Sequence, residues 1–363
     1  MEEQSLSRKL HIDIQLLFYI LVLYGIGLLI LYSATGGETV IIWKQVARMT
    51  IALLFMFAVA QLYPSQIQRW SLWIYLTGIV LLILVLVMGH IGKGAQRWLD
   101  LGIVRFQPSE IMKLAVPMVV AWFLAGKSLP PTLMKVIISC LMIVIPVGLI
   151  AIQPDLGTAI LVAAAGFSVL FISGIRWRLI TIFFLAAGLC APVLWHFMHD
   201  YQKNRIMMFI NPEQDPLGAG YHTIQSMIAI GSGGLYGKGW LNGTQSHLEF
   251  LPERTTDFIF AVFSEEFGLM GIIFLISIYM MIIFRGLYIS MIAQQTYSKL
   301  LGTGLIMTFF VYVFVNMGMV TGQLPVVGIP LPLISLGGTS MVTLMVAFGI
   351  LMSIHTHRRL LSN

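Results

Sequence analysis

The chain has 363 residues, of which 58% are hydrophobic and only 10% charged, with a formal net charge of +6. Apolar stretches near membrane-spanning length recur along its whole length, which excludes a water-soluble globular protein and leaves a polytopic membrane protein. The positive charge calls for no nucleic-acid partner, because basic residues in short loops act as topological anchors near anionic membrane lipids.

In chain order, ten spans are predicted at approximately Ile14 to Tyr32, Val46 to Leu62, Leu72 to Met88, Ile111 to Ala125, Leu133 to Ile152, Leu156 to Ser173, Leu179 to Trp195, Phe258 to Phe284, Leu300 to Thr321 and Met341 to Ile354. The expected fold is therefore an all-α polytopic membrane protein, a single membrane domain over residues 1–363. The polar, acidic start from Met1 to Arg8 and a first apolar run of full span length, without a small-residue cleavage pattern, read as a retained helix. Lys and Arg in short loops favour the cytoplasmic side. Placing both termini inside puts Arg8, Lys9, Arg69, Lys127, Lys135, Arg176, Arg178, Arg285, Lys299, Arg358 and Arg359 in the cytoplasm. Cys140 and Cys190 lie in apolar segments with no metal-ligand spacing around them and read as packing residues.

The largest outer loop, about 196–256 between spans seven and eight, is too long to be a mere connection. An amphipathic helix around Gly220 to Ile230, followed by glycine-permitted turns, would cover a cavity from the membrane surface. Gly237-Lys238-Gly239 is no phosphate loop, since it lacks the Ser or Thr after Lys and a preceding strand. Ser232 lacks nucleophile-elbow spacing. Asn242-Gly243-Thr244 matches a glycosylation sequon that arises easily by chance.

A second loop, Gly89 to Glu110, breaks the positive-inside rule with Lys93, Arg97 and Arg105, flanking Trp98. An anionic headgroup or diphosphate would supply the partner, and Arg can hold phosphate oxygens bidentately; pairing with Asp100 and the outer acids is the structural alternative. Glu110 and Lys113 are three apart on one helical face. Arg48 enters span two near its outer end, and Asp155 opens span six. Isolated charges at such depth cost about 2.5 to 3.5 kcal/mol each, so pairing around a polar cavity open to the outer leaflet is expected. Asp257 differs from these in standing at the end of a large loop where a substrate can reach it. Glu265 and Glu266 lie roughly 12 to 14 Å further along the helix and are expected to bond polar groups inside the bundle. Pro325, Pro330 and Pro332 forbid a regular helix through Gly318 to Ser340, and irregular backbone at membrane depth must line a cavity or be buried in protein.

Four motifs in order, GAQRWLDLGIVRFQPSEIMKL, QPDLGTA, FLPERTTDFIFAVFSEEFG and NMGMVTGQLPVVGIPLPLISLGGTSM, resemble the SEDS (shape, elongation, division and sporulation) family, and Val-Val-Gly-Ile-Pro is closer to its rod-shape elongation type. The resemblance covers nearly the whole chain. One departure is Leu336, where an aromatic residue is expected before Gly337-Gly338.

The resemblance implies a ten-helix peptidoglycan glycosyltransferase that polymerises lipid II on the outer face of the bacterial inner membrane. It implies Asp257 as the essential acid, with Arg48, Glu110, Lys113 and Asp155 as the supporting polar set. A class B penicillin-binding protein, a transpeptidase, is the implied partner. The chemistry agrees: a β-1,4 link made from an α-linked lipid diphosphate inverts the sugar carbon, so one general base and a cationic site for the leaving diphosphate suffice. Lys93, Arg97, Arg105, Arg48 and Lys113 are candidates for diphosphate stabilisation, directly or through a divalent cation such as Mg or Mn. Retention would need a second carboxylate, Glu110 or Asp155, near the sugar. The rival functions are a transporter that flips lipid II and a non-enzymatic scaffold for the transpeptidase. Clustering of charges at the outer mouth favours the enzyme.

Overall fold

The computed structural model describes residues 10–92, 95–100, 105–126, 129–197, 203, 207–209, 220–247 and 253–357. Along the chain run α1 (Ile14–Ala34), α2 (Thr39–Ala60), α3 (Pro64–Met88), β1 (His90–Gly92), β2 (Ala95–Asp100), β3 (Arg105–Phe106), α4 (Pro108–Ala125), α5 (Leu133–Ile152) and α6 (Leu156–Ile172). Then follow α7 (Trp177–Phe197), α8 (Tyr221–Gly233), α9 (Thr244–His247), α10 (Ile259–Met291), α11 (Thr296–Val320) and α12 (Thr339–Thr356). Each of the ten expected spans is a helix. Eight of them, α1 to α5 and α10 to α12, are both long and apolar enough to cross a membrane, while α6 is apolar but has 17 residues.

Several helices outrun the apolar windows that mark them. The second begins at Thr39 rather than Val46, the third at Pro64 rather than Leu72, and α10 continues to Met291 rather than stopping at Phe284. The start of α3, Pro-Ser-Gln, is polar and so does not register in hydropathy. In α3, Pro64 stands at a first-turn position and the Gln66 side chain accepts from the Tyr63 N–H at 3.1 Å, which sets the start.

Three helices form the centre: 72% of the spanning window of α4, 67% of α11 and 56% of α12 is buried, against 22% to 39% for the other measured spans. The outer helices therefore present most of their apolar surface to lipid. Helix α4 packs on α3, α6 and α11, α12 lies along α2, and α10 runs along α1 and α11. At one end of the bundle Asp13 caps α1, accepting from Leu16 N at 2.8 Å, and pairs with Arg285 of α10 at 2.7 Å. Here His11 stacks on His357 at 3.9 Å, so both ends of the described chain meet on one side, as an even number of spans requires.

The opposite end carries two features that hydropathy left as loops. Residues Gly89 to Glu110 hold a three-stranded antiparallel sheet in the order β1-β2-β3. Its strands are two to six residues long, too short for a period-two pattern to declare itself. The proline-rich segment between α11 and α12 is irregular, and Ile329, Leu331, Leu333, Ile334 and Ser335 within it are buried. Tyr279 Oη of α10 donates to Pro332 O at 2.7 Å, and a methyl group on Gly157 would come within 2.8 Å of Val327 O, so α6 touches the segment's backbone. Packing on all sides lets non-helical backbone sit at this depth. The helix expected around Gly220 to Ile230 is α8, which packs against α10 and α11.

Candidate active site

Helix α4 starts with Pro108 in its first turn, which places Glu110 and Lys113 on one face. Lys113 Nζ donates to Glu110 Oε1 at 2.7 Å and to Tyr312 Oη of α11 at 3.2 Å, and it stands 4.8 Å over the Tyr312 ring. Both charged residues are 5% exposed. A buried pair persists only when further hydrogen bonds replace the lost water. Tyr312 supplies one, whereas Glu110 Oε2 is buried with no hydrogen-bond partner among the described residues.

Asp155 caps α6. Its Oδ1 accepts from Thr158 N at 3.2 Å and its Oδ2 from Gln107 Nε2 at 2.8 Å. Arg97 Nη1 of β2 lies 3.8 Å from Oδ1, and the same guanidinium donates to Pro154 O. Capping and docking of the sheet thus occupy Asp155, while Arg97 Nε is buried with no hydrogen-bond partner among the described residues. Trp98 is half-buried in β2 and pairs with His90 across the sheet, and the Arg105 backbone pairs with Asp100. The Arg105 side chain is not described, and Lys93 lies outside the described residues.

Asp257 sits in the turn before α10, half-buried. Its backbone is clasped from two sides: Asn316 Nδ2 of α11 donates to Asp257 O at 2.9 Å and to Ile329 O at 2.6 Å. Ser335 Oγ donates to Thr256 O at 2.6 Å, and Leu336 N donates to Thr255 O at 2.9 Å. Gln45 of α2 donates in turn to Ser335 O at 3.3 Å. The carboxylate faces Gly328, where an added methyl group would lie 3.4 Å from Oδ2; with φ at 75°, that position favours glycine in any case. Tyr312 and Asn316 are one turn apart on α11, so a single helix face joins the Lys113 pair to Asp257.

Of the expected residues, Asp257, Glu110 and Lys113 come together through α11, and Arg97 and Asp155 form a neighbouring pair. Arg48 does not join them: it is exposed on α2, one turn from buried Gln45, because the buried stripe of α2 runs through Gln45, Met49 and Ala52. Glu265 and Glu266 are buried and bond polar groups, as expected, but not deep in the bundle. Helix α10 breaks at Gly268, with φ 62° and ψ −163°, so the arm before it does not continue the axis of the span. Glu266 bonds Ser33, next to the last residue of α1, while Glu265 accepts from loop residues Lys238, Thr244 and Gln245. Both glutamates therefore stand at the site end of the bundle.

Sequence reasoning missed Tyr312, Asn316 and His222. The first two had a signal, an i, i+4 polar pair in an apolar run that leads into the proline-rich segment. The His222 ring of α8 stacks on Phe258, centroids 5.8 Å apart. Burial pulls its pKa below the usual histidine value, against the opposing charge of Glu253, and so favours a neutral imidazole beside the base candidate. Beside the site, an open apolar groove of about 300 Å³ runs between α10 and α11, lined by Phe260, Tyr279, Phe310, Phe314 and Thr321.

The family model FTSW_RODA_SPOVE, described as "Cell cycle protein", matches residues 14–360. The chain is 53% identical over 355 residues to "Peptidoglycan glycosyltransferase MrdB" of Escherichia coli (strain K12), covering 98% of this chain and 96% of that protein. Among solved structures, it superposes with a TM-score of 0.84 and 30% identity on a chain described under "Structural coordination of polymerization and crosslinking by a peptidoglycan synthase complex", covering 96% of this chain and 98% of that one. It also matches the Rod shape determining protein RodA of Thermus thermophilus, with a TM-score of 0.73, 27% identity and coverage of 96% and 97%. With a family model spanning nearly every residue and a relative that is half identical from end to end, the chain belongs to the FtsW/RodA/SpoVE family, the SEDS proteins.

Proposed function

We infer that the chain is a peptidoglycan glycosyltransferase that polymerises lipid II, with Asp257 as its general base. One observation carries the base assignment: Asp257 is held by backbone clasps from α11 and the proline-rich segment, half-exposed, beside a buried lysine whose partner carboxylate keeps one oxygen unmet. The acceptor sugar's 4-hydroxyl gives its proton to the Asp257 carboxylate as its oxygen bonds to the donor's anomeric carbon. The bond from that carbon to the diphosphate oxygen breaks, and the lipid diphosphate leaves with the electron pair. Arg97 and Lys113 supply the positive charge that this leaving group needs. The groove between α10 and α11 has the surface to receive an isoprenoid chain.

Among the described residues no three His, Cys, Asp or Glu side chains converge to hold a metal ion.

Orientation follows from charge. Arg69, Lys135, Arg176, Arg178, Arg285 and Lys299 lie at the ends of helices on the same side as Asp13, while Asp257 lies opposite. The positive-inside rule then puts both termini in the cytoplasm and the site on the outer face of the bacterial inner membrane. A class B penicillin-binding protein is the proposed partner, supported by the likeness to a chain from a peptidoglycan synthase complex.

Glycan polymerisation from lipid II by the purified protein in detergent, with and without the transpeptidase, tests this reading against Asp257→Asn. Polymer from wild type and none from the folded variant is the expected result. Normal polymer from the variant would remove Asp257 from the chemistry, and lipid II movement across vesicles without polymer would replace polymerisation with transport.

A further inference from the structure

The glycine-rich run after α8 has no part in the chemistry above, yet it contacts the arm of α10 that follows Asp257. In an unbroken helix, Leu269 N would bond Glu265 O and Met270 N would bond Glu266 O. At the Gly268 break those two bonds are replaced by four to the loop. Leu269 N donates to Gly234 O at 2.9 Å and Met270 N to Leu235 O at 3.1 Å, while Lys238 N donates to Glu265 O and Gly239 N to Glu266 O, both at 3.0 Å. The backbones meet closely enough that a methyl group on Gly237 would lie 2.1 Å from Glu266 O, and one on Gly268 would lie 2.3 Å from Gly237 N.

A side chain locks this seam. Glu265 is 0% exposed, and its Oε1 accepts from Lys238 Nζ at 2.7 Å, Thr244 N at 2.9 Å, Thr244 Oγ1 at 3.0 Å and Gln245 N at 3.1 Å. Four donors on one oxygen fix the carboxylate and the loop that supplies them, while Oε2 is buried with no hydrogen-bond partner among the described residues. The arm from Ile259 to Phe267 is then pinned at both ends, by this seam at its foot and by Asn316 and Ser335 around Asp257 at its head.

We propose that Glu265 is a positioning residue for Asp257: by locking the loop across the break at Gly268, it sets the direction of the arm that carries the base. The inference rests on Asp257 being that base. Misplacing a reacting group by about 1 Å can cost on the order of a hundredfold in rate. Substrate-binding groups on α4 and β2 lie outside the seam, so the effect falls on kcat.

The test uses the full chain with its transpeptidase partner and lipid II, comparing kcat and KM for Glu265→Ala, Glu265→Gln and Asp257→Asn. Glu265→Ala should lose tenfold or more in kcat with KM within twofold, while Glu265→Gln, which keeps an acceptor oxygen for Thr244 and Gln245, should stay within threefold of wild type. Unchanged kcat in Glu265→Ala, a change confined to KM, or equal loss in the Ala and Gln variants would each overturn the proposal. If Glu265→Ala does not fold, Lys238→Met and Thr244→Val decide: a lowered kcat in either supports the proposal, and wild-type kcat in both overturns it. Activity surviving in Asp257→Asn would instead sink the base assignment, whatever Glu265 does.

Discussion

Two buried charge clusters stand at opposite ends of the bundle, and they differ in how completely their carboxylates, Asp13 and Glu110, are satisfied. At the far end Asp13 accepts from Leu16 N at 2.8 Å and from Arg285 Nε at 3.2 Å and Nη2 at 2.7 Å, with His355 Nδ1 2.7 Å from Oδ2. Both of its oxygens are used. At the site end Glu110 gives one oxygen to Lys113, while its Oε2 and Asn316 Oδ1 are buried without hydrogen-bond partners among the described residues. Burial is equally deep in the two places, so burial alone does not distinguish scaffold from site. A carboxylate with both oxygens bonded locks helix ends together, whereas one with an oxygen left over keeps hydrogen-bonding capacity for a substrate.

The comparison breaks first at Asp257. Removing a general base costs on the order of a hundred- to ten-thousandfold, so Asp257→Asn should lose that much polymerisation rate with its thermal midpoint in detergent unchanged. A midpoint that falls with the activity would make the residue structural, like Asp13. Lys113→Ala should come next and differ in kind. It strands Glu110 in the interior, a loss of roughly 3 to 5 kcal/mol for a broken buried pair, so both stability and activity fall. Adding Glu110→Gln should recover stability but not polymerisation, and recovery of both would reduce the pair to scaffolding.

How much of this was legible in sequence follows from the same contrast. Spans were readable because apolar length is a one-dimensional property, and the charged residues of the site were conspicuous in apolar surroundings. The break at Gly268 was not readable, because it depends on Gly234 to Gly239 supplying the missing hydrogen bonds from thirty residues away. That Arg48 lies off the buried stripe of α2 was not readable, because which face of a helix is buried is set by packing. Tyr312 and Asn316 were overlooked because neutral polar residues in an apolar run do not register as charge.

A smaller effect sharpens the far-end half of the comparison. Burial alone would raise the Asp13 carboxyl pKa, but hydrogen bonds from His355 and Arg285 outweigh it and hold the group well below the usual carboxylate range. An acid depressed in the folded state contributes stability that is fully present above its unfolded pKa, near 3.9, and is lost as pH falls below that value. Asp13→Asn should therefore lower the thermal midpoint at pH 7 by an amount corresponding to about 1.5 to 3 kcal/mol, the range for a hydrogen bond to a charged group. The difference from wild type should shrink below pH 4, and kcat should stay within twofold throughout. An equal deficit at all pH values would mean that the charge of Asp13 contributes nothing.

The smallest effect concerns Leu336, where the resemblance leads to the expectation of an aromatic residue. An aromatic residue there would bring a hydroxyl to the cavity, and its absence invites the view that this chain's site is impaired. The structure argues otherwise. What Leu336 gives the site is its backbone, whose N–H donates to Thr255 O at 2.9 Å, two residues before the base, and that bond is indifferent to the side chain. The side chain is half-buried at the edge of the irregular segment, so a larger ring can turn outward without displacing a packed core. Leu336→Tyr should change kcat/KM by less than about threefold, which is under 0.7 kcal/mol in the transition state. A gain of tenfold would mean that the missing hydroxyl contacts the substrate, and that the clasp around Asp257 is incomplete in this chain as it stands.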